Sequence, residues 1–200
     1  MVSKKMNLLE KFKSSSAELA KPVNLAVTAM LLAVSITLGY FANVSISFLG
    51  TNTIKIGFDV VPIALVAMLY GPVPAGIVGG LRDIIGYMLA PMGGYIPGFT
   101  ISMILVGVFY GIAFYKEEIK LPRIIVTEFI ITIFINILLG VTWFKVFYGM
   151  PLDKAFKIRG LKEIFDLPLS IIINYFMFKA VVKVPEIRRL LSKQKEKDKA

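Results

Sequence analysis

The sequence predicts an all-α integral membrane protein with six transmembrane helices and both termini in the cytoplasm. Three observations carry that expectation. Hydrophobic residues make up 56% of the 200-residue chain and charged residues only 18%, an excess that no soluble core of this size needs. Between Ile56 and Tyr115 the only charges are Asp59, Arg82 and Asp83. With ~20 apolar residues needed per crossing, six spans and their connections nearly exhaust the chain. One integral domain over 22–183 is therefore expected, flanked by cytoplasmic tails at 1–21 and 184–200.

The first span runs from Pro22 to Ala42 without a charge, behind a tail bearing Lys4, Lys5, Lys11, Lys13 and Lys21. Ala42-Asn43-Val44 is a poor cleavage site, so the segment reads as retained rather than as a secretory signal. A polar loop with Thr51, Asn52 and Lys55 follows. The next apolar run is broken by Gly71-Pro72-Val73-Pro74. Because proline does not continue a helix, Phe58–Tyr70 and Ala75–Ala90 are expected to form two short helices joined by a turn.

Pro91-Met92-Gly93-Gly94-Tyr95-Ile96-Pro97-Gly98 is a second turn cluster, and the fourth helix follows it over Phe99–Tyr115. Lys116, Glu117, Glu118, Lys120 and Arg123 form a charged loop. A fifth span covers Ile124–Trp143. The stretch Phe144–Ile158 is too polar to cross, so the sixth span is expected from about Arg159 to Val182.

Six spans put both termini on one side. That side carries fifteen Lys and Arg in its tails and loop, against Lys55, Lys145, Lys154 and Lys157 on the other. The positive-inside rule makes the first side cytoplasmic. Most of the formal charge of +10 then serves anchoring against anionic lipid, not nucleic-acid binding. Cys and His are absent, which removes disulfides, thiolate nucleophiles and the usual zinc ligands. The chain also lacks a phosphate-binding G-x-x-x-x-G-K-[ST] loop, so if transport occurs its energy must come from elsewhere.

Polar residues inside the spans gather near the outer face. A charge at hydrocarbon depth costs at least ~2.5–3.5 kcal/mol and is retained where it faces a bundle interior or a wet cavity. Arg82 and Asp83 lie ~10–12 Å below the outer end of the third helix at 1.5 Å per residue. Arg159, Lys162, Glu163 and Asp166 fall at i, i+3, i+4 and i+7, which is one helical face. The bland reading of that face is a juxtamembrane stripe whose cations snorkel and pair with its own carboxylates. The functional reading adds the outer lysines to make a cationic funnel that steers an anionic solute.

Aromatic residues surround the same mouth. Tyr87, Tyr95 and Phe99 flank the Pro-Gly loop, and Trp143, Phe144 and Tyr148 end the fifth span. Interfacial anchoring accounts for each singly. Beside a buried carboxylate they can also stack a planar heterocycle, and Asn136 and Asn174 could either satisfy such a ring or hydrogen-bond neighbouring helices, Asn136 being the stronger candidate for a ligand contact. On the first span Ala29-x-x-x-Ala33 is a spacing that admits close helix approach, inside the bundle or against a partner.

These residues resemble the S-components of energy-coupling-factor vitamin transporters, and within them the folate branch. The resemblance runs from about residue 22 to 182. It is carried by Ile54-Lys55-Ile56-Gly57-Phe58, Pro62-Ile63-Ala64-Leu65, Tyr70-Gly71-Pro72, Asp83-Ile84-Ile85-Gly86, Tyr95-Ile96-Pro97-Gly98-Phe99-Thr100, Trp143 and Tyr148-Gly149. It implies a six-helix binding protein in a prokaryotic plasma membrane, without catalytic activity or catalytic cofactor. The pocket would open outward beneath loops 43–56 and 91–98. The partners implied are a transmembrane T-component and two ATPase subunits, with Ala29 and Ala33 docking on the coupling subunit.

The ligand implied is folate, its pterin donating to Asp83 and its glutamate carboxylates meeting Arg159, Lys162 or the outer lysines. Lys55, Arg82, Asp83, Tyr87, Tyr95, Phe99, Asn136, Trp143, Arg159, Lys162 and Asp166 form the expected binding set. The chain departs from the family pattern at Gly140, where an Asn is usual, and in the charge of Arg159-Gly160-Leu161-Lys162-Glu163. Competing readings are a pocket for another vitamin such as pantothenate or a pyrimidine precursor, a membrane-embedded enzyme built on Arg82, Asp83 and Asp166, and an assembly subunit that binds no small molecule.

Overall fold

The long apolar runs fold as helices, and the punctuation between them sets where each one starts. The computed structural model describes residues 6–41, 44–48, 52–56, 58–91, 94–185 and 187. In chain order the elements are α1 (Leu8–Leu19), α2 (Pro22–Phe41), β1 (Val44–Phe48), β2 (Asn52–Ile56), α3 (Val60–Tyr70), α4 (Pro72–Leu89), α5 (Pro97–Phe114) and α6 (Leu121–Ile130). A π-helical segment (Ile131–Leu139), α7 (Gly140–Tyr148) and α8 (Leu152–Val181) complete the chain. Among the described residues, four helical stretches are long and apolar enough to cross a bilayer: α2, α5, the continuous run Leu121–Tyr148 and α8.

Two elements stand where the sequence was read as tail or loop. Residues 44–48 and 52–56 pair as the two strands of an antiparallel hairpin, with Val44 opposite Ile56 and Phe48 opposite Asn52, an addition to the expected all-α plan. The alternating Val44, Ile46 and Phe48 are a period-two strand signal. Helix α1 occupies part of the N-terminal tail. Lys11 and Ser15 are its buried residues, an inversion of the usual amphipathic pattern, because the surface beneath offers polar partners. Ser15 Oγ donates to the Tyr70 carbonyl at 2.8 Å and accepts from the Val73 N–H at 3.0 Å. Lys11 Nζ donates to the Ile112 carbonyl at 3.0 Å and pairs with Glu117 at 2.8 Å.

Helix α4 starts at Pro72, three residues earlier than expected. Proline fits the first helical position because its missing N–H would have no partner there anyway. Gly71 makes the break from α3 with φ 89°, a conformation that glycine adopts at no steric cost. Against α5 the small residues of α4 let the backbones meet. A Cβ on Gly79 would fall on the Met103 carbonyl, and one on Gly107 would fall on the Ala75 carbonyl. Close approach of this kind is the main source of helix association where lipid removes the hydrophobic drive.

Helix α7 runs on to Tyr148, and left-handed Gly149 (φ 61°) ends it. Helix α8 then begins at Leu152 and extends over 30 residues despite an internal Pro168. This corrects the reading of 144–158 as a polar connection between spans, and the late start of the sixth span. Arg159 stands two turns into its helix rather than at its tip. The core lies where α3, α4, α5 and α8 meet, with Ile63, Met68, Val78, Phe114 and Phe178 almost wholly buried. The Phe114 and Phe178 rings are 4.8 Å apart, so the C-terminal ends of α5 and α8 share the end of the bundle against which α1 packs.

Candidate binding cavity

A cavity of about 320 Å³ opens among α4, α5, the π segment and α8, and Asp59 and Val60 reach it directly after the hairpin. Phe99 and Tyr110, both on its wall, are eleven residues apart on α5, which is ~16 Å along the helix axis. The cavity is thus a slot running inward from the hairpin end. Four carboxylates (Asp59, Asp83, Glu128, Asp166) and three cations (Arg82, Arg159, Lys162) line it. It is a mixed polar site rather than the cationic funnel expected from the Arg159–Asp166 face and the outer lysines together.

Most of those charges already have partners. Arg82 pairs with Asp59 at 2.5 Å, not with its neighbour Asp83, since adjacent residues on a helix do not face one another. The pair sits under α2, where Ser35 donates to the Asp59 carbonyl and Gly39 leaves room for the Arg82 guanidinium. Asp83 accepts a hydrogen bond from Thr100 Oγ1 at 2.6 Å, and Thr100 shares a further 2.6 Å bond with the Tyr95 hydroxyl. Lys162 pairs with Asp166 at 3.1 Å.

Arg159 is different. Its guanidinium carbon lies 5.1 Å from the Phe99 ring centre and 4.8 Å from that of Phe144. Its Nε is buried without a hydrogen-bond partner, and among the described residues it makes no ion pair. Cation–π contact with two rings holds the group in place without occupying its in-plane N–H donors. Those donors suit a carboxylate fork.

The π segment aims its own residues at the slot. Ile131, Thr132, Ile135 and Asn136 all line it, and Asn136 Nδ2 donates to Glu163 Oε2 at 3.0 Å. Nine residues of π-helix are uncommon, and such segments are frequent at functional sites.

Of the expected set, Arg82, Asp83, Phe99, Asn136, Arg159, Lys162 and Asp166 come together on one cavity. Tyr87, Tyr95 and Trp143 do not line it. Tyr87 and Tyr95 pack ring to ring at 5.1 Å, and Tyr95 reaches the site only through Thr100. Trp143 braces the wall from behind, with its ring against Gly98 and Nε1 donating to Ser102 Oγ at 3.0 Å. Lys55 belongs to β2, and its side chain lies outside the described residues, as do Met92 and Gly93 of the Pro-Gly loop.

Ala29 and Ala33 sit on the exposed face of α2, whose buried residues are Thr28 and Ser35. Internal bundle packing therefore does not account for their spacing. Asn174 is buried and bonds to Glu128 and Tyr110 across helices. Sequence reasoning missed Glu128, Tyr110, Ser102 and the pairing of Asp59. Glu128 had a legible signal as a carboxylate within a run of helix-forming apolar residues, the same signal that singled out Asp83.

Comparison with known proteins gives the family of the chain. Residues 23–185 match the family model described as ECF transporter, substrate-specific component. A folate transporter FolT of Clostridium novyi is 36% identical over 131 residues, covering 66% of this chain and 76% of that protein. A folate transporter FolT of Streptococcus mutans is 23% identical and covers 84% of this chain and 92% of that protein. A crystal structure of FolT bound with folic acid superposes with a TM-score of 0.69 at 32% identity, covering 78% of this chain and 93% of that one. The S-component for biotin from an ECF-type ABC transporter, at 18% identity and a TM-score of 0.55 over 88% of this chain and 94% of that one, shares the fold. The family consists of transport components, not enzymes. The chain belongs to the substrate-specific components of ECF transporters.

Proposed function

We propose that this chain binds folate in the slot between α4, α5, the π segment and α8, and delivers it as the substrate-specific subunit of an ECF-type importer. The observation that carries the reading is Arg159, a guanidinium without an ion pair among the described residues, held between two rings on the wall of a slot lined by N–H acceptors. A flat, elongated, dianionic ligand satisfies both halves. Its carboxylates meet Arg159 and Lys162. Its rings pass Phe99 and Asn136, with Asp83 as an acceptor for ligand N–H groups. Tyr95 and Trp143 act on the ligand through Thr100 and Ser102, and Tyr87 through its packing on Tyr95.

The relatives that match are folate transporters, and one solved neighbour holds folic acid, which supports this ligand over pantothenate or a pyrimidine precursor. In the full assembly a T-component and two ATPase subunits supply the energy, and the exposed Ala29–Ala33 face of α2 docks on the former. The membrane arrangement that fits is six crossings by α2, α3, α4, α5, Leu121–Tyr148 and α8. The α1 end is then cytoplasmic and the hairpin end outward, in a prokaryotic plasma membrane. Calorimetric titration of the purified chain with folate, and with pantothenate and biotin as controls, tests the ligand. Saturable one-to-one binding of folate alone is expected, and binding of a control in preference to folate contradicts it.

A further inference from the structure

At the inner end of the slot a second carboxylate stands apart from the ion pairs near the mouth. Glu128 is 3% exposed and lines the cavity. Two buried donors converge on one of its oxygens. The Tyr110 hydroxyl donates to Oε1 at 2.9 Å and Asn174 Nδ2 at 2.7 Å. Among the described residues Oε2 receives no hydrogen bond, and no Lys or Arg pairs with this carboxylate. Burying a carboxylate in a membrane bundle is costly unless donors surround it, and here only half of its acceptor capacity is used.

Three helices fix the group. Tyr110 comes from α5, Glu128 from α6 and Asn174 from α8, so Oε1 is held and the carboxylate cannot turn away from the slot. A fixed carboxylate with one oxygen open to a cavity complements an edge that offers an amino group beside a ring N–H, through charge-assisted hydrogen bonds. An anionic tail placed there would instead meet like charge. The cations Arg159 and Lys162 lie toward the mouth, which orients an asymmetric ligand rings first and carboxylates last.

We propose that Glu128 is the ligand-binding acceptor at the floor of the slot and takes the amino and N–H edge of the heterocycle, with Tyr110 and Asn174 as its positioning residues. This rests on the folate reading above. It leaves Asp83, ~15 Å nearer the mouth by its level on α4 and α5, to the N–H groups that link the rings to the tail.

The test uses the full chain and three probes: folate, a folate analogue whose 2-amino group is replaced by methyl, and p-aminobenzoylglutamate, which lacks the rings. In the wild type, loss of the amino group should weaken binding at least about tenfold, because a site built to hydrogen-bond a donor rejects a ligand without it. In Glu128→Gln, folate affinity should fall at least about tenfold and the penalty for losing the amino group should shrink below about threefold. The affinity for p-aminobenzoylglutamate should be the same in both proteins. A purely structural tie between helices would lower stability and leave the amino penalty intact, which overturns the proposal.

Folate binding by Glu128→Gln within about threefold of wild type also overturns it. Failure of the wild type to bind folate removes the ligand reading itself, a separate result. Should Glu128→Gln not fold, Tyr110→Phe strips one donor from Oε1. An affinity change of at least about threefold for folate, with p-aminobenzoylglutamate unaffected, then supports the assignment, and unchanged folate affinity overturns it.

Discussion

Arg159 occupies the space that a side chain at position 140 would fill. A Cβ built on Gly140 comes within 2.9 Å of Arg159 Nε and 3.1 Å of its Cζ. The glycine at 140 and the cation at 159, two positions the sequence singled out, are thus one structural event. The glycine on α7 makes the seat, and the guanidinium from α8 takes it.

Gly140→Ala is therefore expected to move Arg159 without unfolding the protein, since the displaced atoms end a flexible chain. Folate affinity should fall by about three- to tenfold (roughly 0.7–1.4 kcal/mol). The melting temperature should change by less than about 3 °C. Calorimetry and a thermal melt on the same sample check both.

Gly98 gives the opposite kind of prediction. Its missing Cβ is filled by the Trp143 ring, which is rigid and tied to Ser102. Overpacking such a site costs about 1–3 kcal/mol. Gly98→Ala should lower thermal stability clearly and shift the emission of Trp143, the single tryptophan of the chain.

Residues 29 and 33 face outward, so Ala29→Leu with Ala33→Leu should leave folate affinity within about twofold. Capture of the T-component and ATPase subunits should be lost. Co-purification from cells expressing the whole transporter measures this. Retained assembly would remove this face from the coupling interface.

The docking of α1 should depend on pH. Burial raises the affinity of the Glu117 carboxyl for protons, but hydrogen bonds and charge from Lys11 and Arg123 outweigh it and hold the group below the usual carboxylate range. A carboxyl whose folded value is depressed stabilises the folded contact above the ordinary value, ~4.3, and loses that contribution as pH falls through the folded value. A spin label on Ser16→Cys, a unique and exposed position, should stay immobilised from pH 7 to about 5 and gain mobility below about pH 4.

The helical runs and the polar face of α8 were legible because apolar length and the i, i+3, i+4, i+7 spacing are properties of the local sequence. Of the site residues that converged, Arg82 and Asp83 were visible as charges in apolar surroundings, Arg159, Lys162 and Asp166 by their spacing on one helical face, and Phe99 and Asn136 as an aromatic and an amide near the mouth. What escaped depended on partners distant in the chain. Helix α1 buries Lys11 and Ser15 because Tyr70, Val73 and Ile112 present backbone polar groups to them, and no periodicity of α1 itself reveals that. Arg82 chose Asp59, twenty-three residues away, over the adjacent Asp83. Trp143 is expected at the cavity because it ends the fifth span among the aromatics of the mouth, yet it packs behind the wall on Gly98 and Ser102. The π segment, which sets where Asn136 points, has no signature in Ile131–Leu139 beyond apolar composition.

The account turns on a guanidinium, unpaired among the described residues, that we propose receives the ligand's carboxylate, and titration of Arg159→Ala with folate tests it most directly. Loss of a charge-assisted contact worth about 1.5–3 kcal/mol predicts an affinity lower by roughly tenfold or more. Binding within about threefold of wild type, in a variant that melts at the wild-type temperature, would contradict it.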